Sequence, residues 1–223
     1  MSRDPIPRKA PDRAAALAQY RRRAPIYDLE LAVFEPIRRR AIALLAPQPG
    51  DTVIDVGCGT GLSLPLLHRA VGATGHVVGI EQSPEMLELA RQRVREQGWR
   101  HVRLIQAPVE TATMTRVGDA ALFHFTHDIL RRPEALKHLV GQLRPGARVV
   151  ASGVKWAPLW AWPANLLVLP AALRSVTTLE GLSRPWSQLE TLLGPMQVQS
   201  LLFGGAYVAL GTVPVFTASA SPA

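Results

Sequence analysis

The stretch Val53-Ile54-Asp55-Val56-Gly57-Cys58-Gly59-Thr60-Gly61 joins an apolar run carrying a single acid to a loop with glycine at every second position. Valine and isoleucine without polar alternation suit a strand buried on both faces, as in a parallel sheet. The glycines let the backbone turn without Cβ clashes, so that a ligand can lie directly against the main chain. Next, Leu62-Ser63-Leu64-Pro65-Leu66-Leu67 places leucines at helical spacing, which predicts a helix whose amide-rich N-terminus faces the same crevice. Strand, loop and helix together make a cradle for a nucleotide-like ligand.

The spacing narrows the ligand. A dinucleotide fingerprint reads Gly-x-Gly-x-x-Gly, with the helix N-terminus facing a pyrophosphate; here the loop reads Gly-x-Gly-x-Gly. Asp55, two residues before Gly57, sets a carboxylate beside the ligand, which suits a cationic amine or sulfonium better than a diphosphate. On these residues the chain resembles the class I S-adenosylmethionine-dependent methyltransferases. Their first motif has the form acid-x-Gly-x-Gly-x-Gly, matched at Asp55, Gly57, Gly59 and Gly61. The resemblance implies S-adenosylmethionine as cofactor. Cys58, inside the loop, reads as a small residue fitting a tight cofactor-lining turn and not as a reactive thiol.

His76-Val77-Val78-Gly79-Ile80-Glu81 reads as a second strand ending in an acid 24 positions beyond Gly57, close to the spacing at which an acid meets ribose hydroxyls. After Glu81 and Gln82, Ser83 suits a helix cap and Pro84 the first helical position, with Met86, Leu87 and Ala90 on the apolar side. The family resemblance puts Met86 near the adenine. Val102 to Ile105 predicts a third strand leading into Gln106-Ala107-Pro108-Val109-Glu110, where the family contacts the adenine edge. Many members carry an aspartate where this chain has Gln106 and Ala107, so Ala107, Pro108 and Val109 are the lining expected here.

Ala120 to Phe125 predicts a fourth strand, Pro133 to Leu143 a helix, Arg144 to Ala147 a turn and Arg148 to Ser152 a fifth strand. Val198 to Phe203 and Ala206 to Val213 flank Gly204-Gly205, a pair that signals a two-residue hairpin. The expected fold is α/β, a Rossmann-like, doubly wound, mostly parallel seven-stranded sheet with a C-terminal antiparallel hairpin. It spans 41–215, after a basic helical leader or lid over 1–40 and before a flexible tail over 216–223.

Composition sets outer bounds. With 48% hydrophobic residues and a mean hydropathy of +0.10, the chain can bury a large core and is not disordered. One cysteine rules out an intrachain disulfide and a cysteine metal cluster; no metal is expected. The first residues carry no signal-like apolar run, which predicts a cytoplasmic protein. Residues 1–40 hold ten Lys plus Arg against five Asp plus Glu, so most of the net charge of +8 lies there. Arg21-Arg22-Arg23 and Arg38-Arg39-Arg40 fit an anionic membrane surface, nucleic acid or a solvated face. Absent aromatic interleaving and an absent Asn-Pro-Pro-Tyr-like motif argue against nucleic acid. Tyr20 and Tyr27 resemble the tyrosine-bearing segment that folds over the cofactor in related methyltransferases, and ordinary helix packing accounts for them equally well. Monomer and homodimer are both compatible with the sequence.

Trp156 to Leu173 carries no charge over 18 residues, formally long enough for a membrane span. Pro158, Pro163 and Pro170 interrupt any helix and the segment falls inside one sheet, so a span is rejected. It predicts instead an apolar insertion, 156–185. Trp156, Trp160 and Trp162 then line a pocket for a hydrophobic substrate or dip into a membrane interface, with an extra helix packed on the sheet as the plain alternative. Residues 177–186 are polar enough for a rim.

Methyl transfer asks the protein for alignment, exclusion of water and, for some acceptors, removal of a proton. Phe125-Thr126-His127-Asp128 ends the fourth strand at the edge where open α/β sheets bind ligands. His127 is the candidate base, with Asp128 orienting it; a pocket-shaping His127 and base-free transfer to an amine are the alternatives. The chain looks most like phospholipid and small-molecule N- or O-methyltransferases, including the phosphatidylethanolamine type. A small hydrophobic or lipid-like acceptor and a peripheral membrane contact are therefore expected. A natural-product methyltransferase with an enclosed apolar pocket and a non-catalytic binding protein on the same fold are the other readings.

Overall fold

Val53, Ile54 and Val56 are fully buried in β1 (Thr52–Val56), at the centre of a sheet in a computed structural model that describes residues 17, 28, 31–166, 168–170 and 178–215. The other strands are β2 (His76–Glu81), β3 (Val102–Gln106), β4 (Gly118–His124), β5 (Leu143–Val154), β6 (Gln197–Leu201) and β7 (Ala206–Thr212). Their order is β3-β2-β1-β4-β5-β7-β6. The first five run parallel, and β7 is antiparallel to both β5 and β6. This is the expected doubly wound sheet with its closing hairpin.

Helices cover both faces. On one, Ile54, Ile80, Phe123 and Val149 pack with Leu136 and Leu139 of α5 (Pro133–Val140) and Leu189 of α6 (Ser187–Leu193). On the other, Val53, Val77, Leu122 and Val150 pack with α1 (Glu35–Leu45), α2 (Leu64–Val71) and Ala90 of α3 (Pro84–Glu96). The cap of α3 forms as its sequence predicts: Met86 N donates to Ser83 Oγ at 3.3 Å, with Pro84 in the first turn. A short α4 (His127–Leu130) follows β4.

Four expectations change. A boundary at 40/41 falls inside α1, which buries Ile37, Ile42 and Leu45; at about 1.5–3 kcal/mol for each side chain, this helix is part of the fold and not a detachable leader. The turn at 144–147 is absorbed into β5, where the register against β4 shifts between Gly118 and Ala120. The closing hairpin has four loop residues, since Leu201 pairs with Ala206. Leu202 (φ 50°) and Phe203 (φ 53°) adopt the left-handed conformation there, at about 1–3 kcal/mol each. Within the expected polar rim, Leu182 and Trp186 are buried, and Trp186 packs on Tyr207 at 5.0 Å. Tyr20, Tyr27 and the tail 216–223 lie outside the described residues.

Candidate active site

At the C-terminal edge of the sheet, β1 lies between β2 and β4, where the connections diverge to opposite sides; this is the point at which such sheets open a crevice. The crevice is open to solvent, and with the open space at its mouth counted it is about 810 Å³. It draws on the loop after β1, the end of β2, the segment after β3 and the end of β4.

The glycine loop is tied to β2, with the Gly57 and Cys58 amides donating to the Ile80 carbonyl at 2.8 and 3.0 Å. Gly57 has φ +69°, and a Cβ there would lie 2.7 Å from Thr126 Cγ2 and 2.9 Å from Ile129 Cδ1. Only glycine leaves that approach open. Glu81 accepts from Ser83 N at 2.7 Å through one carboxylate oxygen and from Gly59 N at 3.1 Å through the other. Burial raises its pKa, opposed by these backbone hydrogen bonds. The carboxylate keeps further lone pairs for ligand hydroxyls.

A smaller cavity adjoins the crevice, sharing Gly57, Gly59 and His124 with it and lined also by Arg38, Asp55, Cys58 and Thr60. Burial pushes the Asp55 carboxyl up to about 7, with the Arg38 guanidinium opposing the shift and Glu81 adding to it. Arg38 is 2% exposed and bonds Glu35. Asp55 Oδ2 and Arg38 Nε have no hydrogen-bond partner among the described residues. A buried carboxylate facing a buried guanidinium, each with capacity unused, fits the ammonium and carboxylate of an amino acid moiety.

The end of β4 supplies three more buried polar atoms without hydrogen-bond partners among the described residues: His124 Nε2, Thr126 Oγ1 and His127 Nδ1. His124 Nδ1 bonds Ser152 Oγ at 2.8 Å, and burial holds the imidazole well below its ordinary pKa. His127 Nε2 lies 2.9 Å from the Glu180 carbonyl, which assigns the proton to Nε2 and leaves Nδ1 as an acceptor. Burial lowers His127 to about 4, so its ring is neutral at pH 7. The Glu180 carbonyl, and not Asp128 as expected, fixes the ring.

Of the expected residues, Gly57, Gly59, Glu81, Gln82, Met86, Ala107, Val109, Phe125, His127 and Asp128 line the crevice, and Asp55 and Cys58 line the adjoining cavity. Gly61 and Pro108 line neither; Gly61 lets α2 pack on α3, since a Cβ there would meet Leu64 at 2.7 Å and Ala90 at 3.3 Å. The three tryptophans do not line the crevice. Trp156 is half-buried against the core, while Trp160 is 76% and Trp162 61% exposed. Arg38, His124 and Thr126 were not expected. The helical phase of Arg38 with Ala41, Ile42 and Leu45 was the available signal for the first, masked by its place in a run of three arginines.

From the segment expected as a lid, Asp28 accepts from Thr60 Oγ1 at 2.5 Å and pairs with Arg93 at 2.6 Å. Arg93 Nε also donates to the Thr60 carbonyl at 3.2 Å. Asp28 thus bridges the glycine loop and α3.

Residues 47–177 match the family model described as a methyltransferase domain. The protein-L-isoaspartate O-methyltransferase of Aeropyrum pernix is 37% identical over 118 residues, 50% of this chain and 42% of that protein; the chain thus spans less than half of that relative. The 2-phytyl-1,4-naphtoquinone methyltransferase of Trichormus variabilis is 28% identical over 174 residues, 70% of this chain and 75% of that protein. In fold, the N-methyltransferase NodS from Bradyrhizobium japonicum superposes with a TM-score of 0.65 at 14% identity, covering 90% of this chain and 99% of that one. With the family model matching more than half its length, and with a glycine loop, buried acid and sheet order to suit, the chain belongs to the S-adenosylmethionine-dependent methyltransferases.

Proposed function

We propose that the chain transfers a methyl group from S-adenosylmethionine to a nitrogen or oxygen of a small hydrophobic or lipid-like acceptor. The observation that carries this reading is the trio of buried atoms on His124, Thr126 and His127 that have no hydrogen-bond partner among the described residues, set beside the apolar Ile80, Val109, Phe125 and Ile129. A buried polar atom left unsatisfied costs about 1–3 kcal/mol, so a ligand with an apolar body and a polar reacting atom suits this wall. The naphtoquinone named for the Trichormus relative shares the apolar body and carries polar carbonyl oxygens. A lipid-like acceptor met at a membrane surface is the narrower form of the reading.

Glu81 would take the ribose hydroxyls, Asp55 the ammonium and Arg38 the carboxylate of the cofactor. When bound, S-adenosylmethionine supplies a methyl group on a cationic sulfur, activated without further help from the protein. His127 Nδ1, left as an acceptor by the Nε2 contact to the Glu180 carbonyl, would take a hydrogen bond from the acceptor's O–H or N–H. With a pKa of about 4, His127 is too weak a base for an ordinary phenol and suits a strongly acidic enolic hydroxyl, or an amine that arrives neutral and needs only orientation. Ile80, Val109, Phe125 and Ile129 offer an apolar wall for the body of the acceptor.

Calorimetry tests the cofactor half: the wild type binds S-adenosylmethionine and Gly59→Asp, which sets a second carboxylate beside Glu81, does not. Transfer of labelled methyl to hydroxylated naphthoquinones, phenols and phosphatidylethanolamine tests the acceptor half. His127→Ala is expected to lower kcat with the KM for S-adenosylmethionine unchanged. A rate indifferent to this substitution at every pH removes His127 from the reaction.

A further inference from the structure

Two of the three tryptophans expected in the substrate pocket point to solvent, and they do so in company. Residues Leu159–Ala164 form a 3₁₀ turn held by Asn165, whose Oδ1 accepts from Ala157 N at 2.8 Å. Leu159 is 93%, Trp160 76%, Trp162 61% and Leu166 66% exposed. The hairpin tip seats against this segment: Lys155 N donates to the Gly205 carbonyl at 3.0 Å, and Gly204 and Gly205 lie so close to Pro158 and Val168 that a Cβ on them would fall at 2.6 and 2.9 Å. That tip carries Leu202, 59% exposed, and Phe203, 78% exposed, both in the left-handed conformation. Two consecutive large apolar residues held in a costly backbone state, with their side chains in water, mark a position kept for something other than folding.

The patch has a place as well as a composition. Segment 155–166 leaves the C-terminal end of β5, and the tip precedes β7, which is antiparallel to β5; both therefore stand on the edge of the sheet that opens the crevice. A Cβ on Gly153 of β5 would lie 3.7 Å from Phe125 Cα in the crevice wall. An object pressed against Trp160 and Phe203 would face the mouth from which an acceptor enters.

We propose that Leu159, Trp160, Trp162, Leu166, Leu202 and Phe203 form a docking surface for an anionic lipid bilayer. This rests on the methyltransferase reading only in naming the acceptor's source; the docking itself does not need it. Tryptophan and phenylalanine suit the interfacial layer. No helix among the described residues is long and apolar enough to cross a membrane, so the contact is peripheral. Charge selects the occupant: a net charge of +8 favours approach to an anionic surface, whereas a second copy of the chain would bring two such charges together. Exposed Arg40, bonded to Gln199 of β6 at 2.8 Å, adds a cation on the neighbouring flank.

The test is co-sedimentation with phosphatidylcholine vesicles with and without phosphatidylglycerol, run without acceptor. The wild type is expected to sediment with the anionic vesicles, less in high salt, and the triple variant Trp160→Ser, Trp162→Ser, Phe203→Ser to partition at least about tenfold more weakly. Its affinity for S-adenosylmethionine should be unchanged, because these residues do not line the crevice. Equal sedimentation of wild type and variant overturns the proposal, as does no sedimentation of the wild type. A wild-type dimer by light scattering that the triple variant dissolves overturns it in favour of self-association. If the variant does not fold, quenching of wild-type tryptophan emission by brominated lipids decides: quenching supports docking, and its absence sinks it. Loss of cofactor binding in the wild type would instead refute the methyltransferase reading and leave the vesicle result standing.

Discussion

Asp55 is an acid whose ionisation is contested by its surroundings, and this makes it a pH-dependent anchor. Its ordinary pKa of 3.8 is raised to about 7, so between those values the folded chain keeps a proton that the unfolded chain has released. The cofactor-free protein is accordingly expected to lose stability as pH rises through this window. Cofactor binding should run the other way, because a cationic ammonium favours the ionised carboxylate. Calorimetric affinity for S-adenosylmethionine is expected to climb from pH 5 to about 7 and then level, and Asp55→Asn to flatten the climb. Asp55 and Glu81 were legible in the sequence because one interrupts and the other ends a run of apolar strand residues, where an acid has few structural reasons to be. Arg38 was not, since a triple arginine run reads as solvated until the helix phase separates its buried member from its two exposed neighbours.

Elements differ in how openly the sequence declares them. β1, β2 and α3 were readable nearly to the residue, because burial on both faces, a terminal acid and a Ser-Pro cap act locally. The four-residue hairpin was misread as a two-residue turn: Gly204-Gly205 carries the usual signal, but the tip is set by its packing on Pro158 and Val168, a contact between segments far apart in the chain. The tryptophan segment was recognised as unusual and its direction was left open between a pocket wall and a membrane interface, for three prolines break the periodicity that would show which way a helix faces. Asp28 joins elements in the same long-range fashion, bridging Thr60 and Arg93. The ion pair is partly exposed, so Asp28→Ala should cost about 0.2–1 kcal/mol. The expected reading is an affinity for S-adenosylmethionine weakened by less than about fivefold, with kcat nearly unchanged.

For the molecule as a whole, one sheet carries two jobs: helices on both faces supply stability, while the edge where loops meet supplies the site. A ligand that binds only the folded chain stabilises it by about 2.7 kcal/mol at a hundred times its Kd, and S-adenosylhomocysteine at that level should raise Tm by about 5–11 °C in a chain of this size. A thermal shift in the wild type that persists in Gly59→Asp would place the ligand elsewhere. The single cysteine turns the same question into a matter of time. Cys58 is the chain's sole thiol, it is 8% exposed in the glycine loop, and burial raises its pKa well above the usual value, so alkylation must wait for the loop to open. Its labelling rate is therefore a native stopwatch for the breathing of the cradle, and an occupied cradle should slow it.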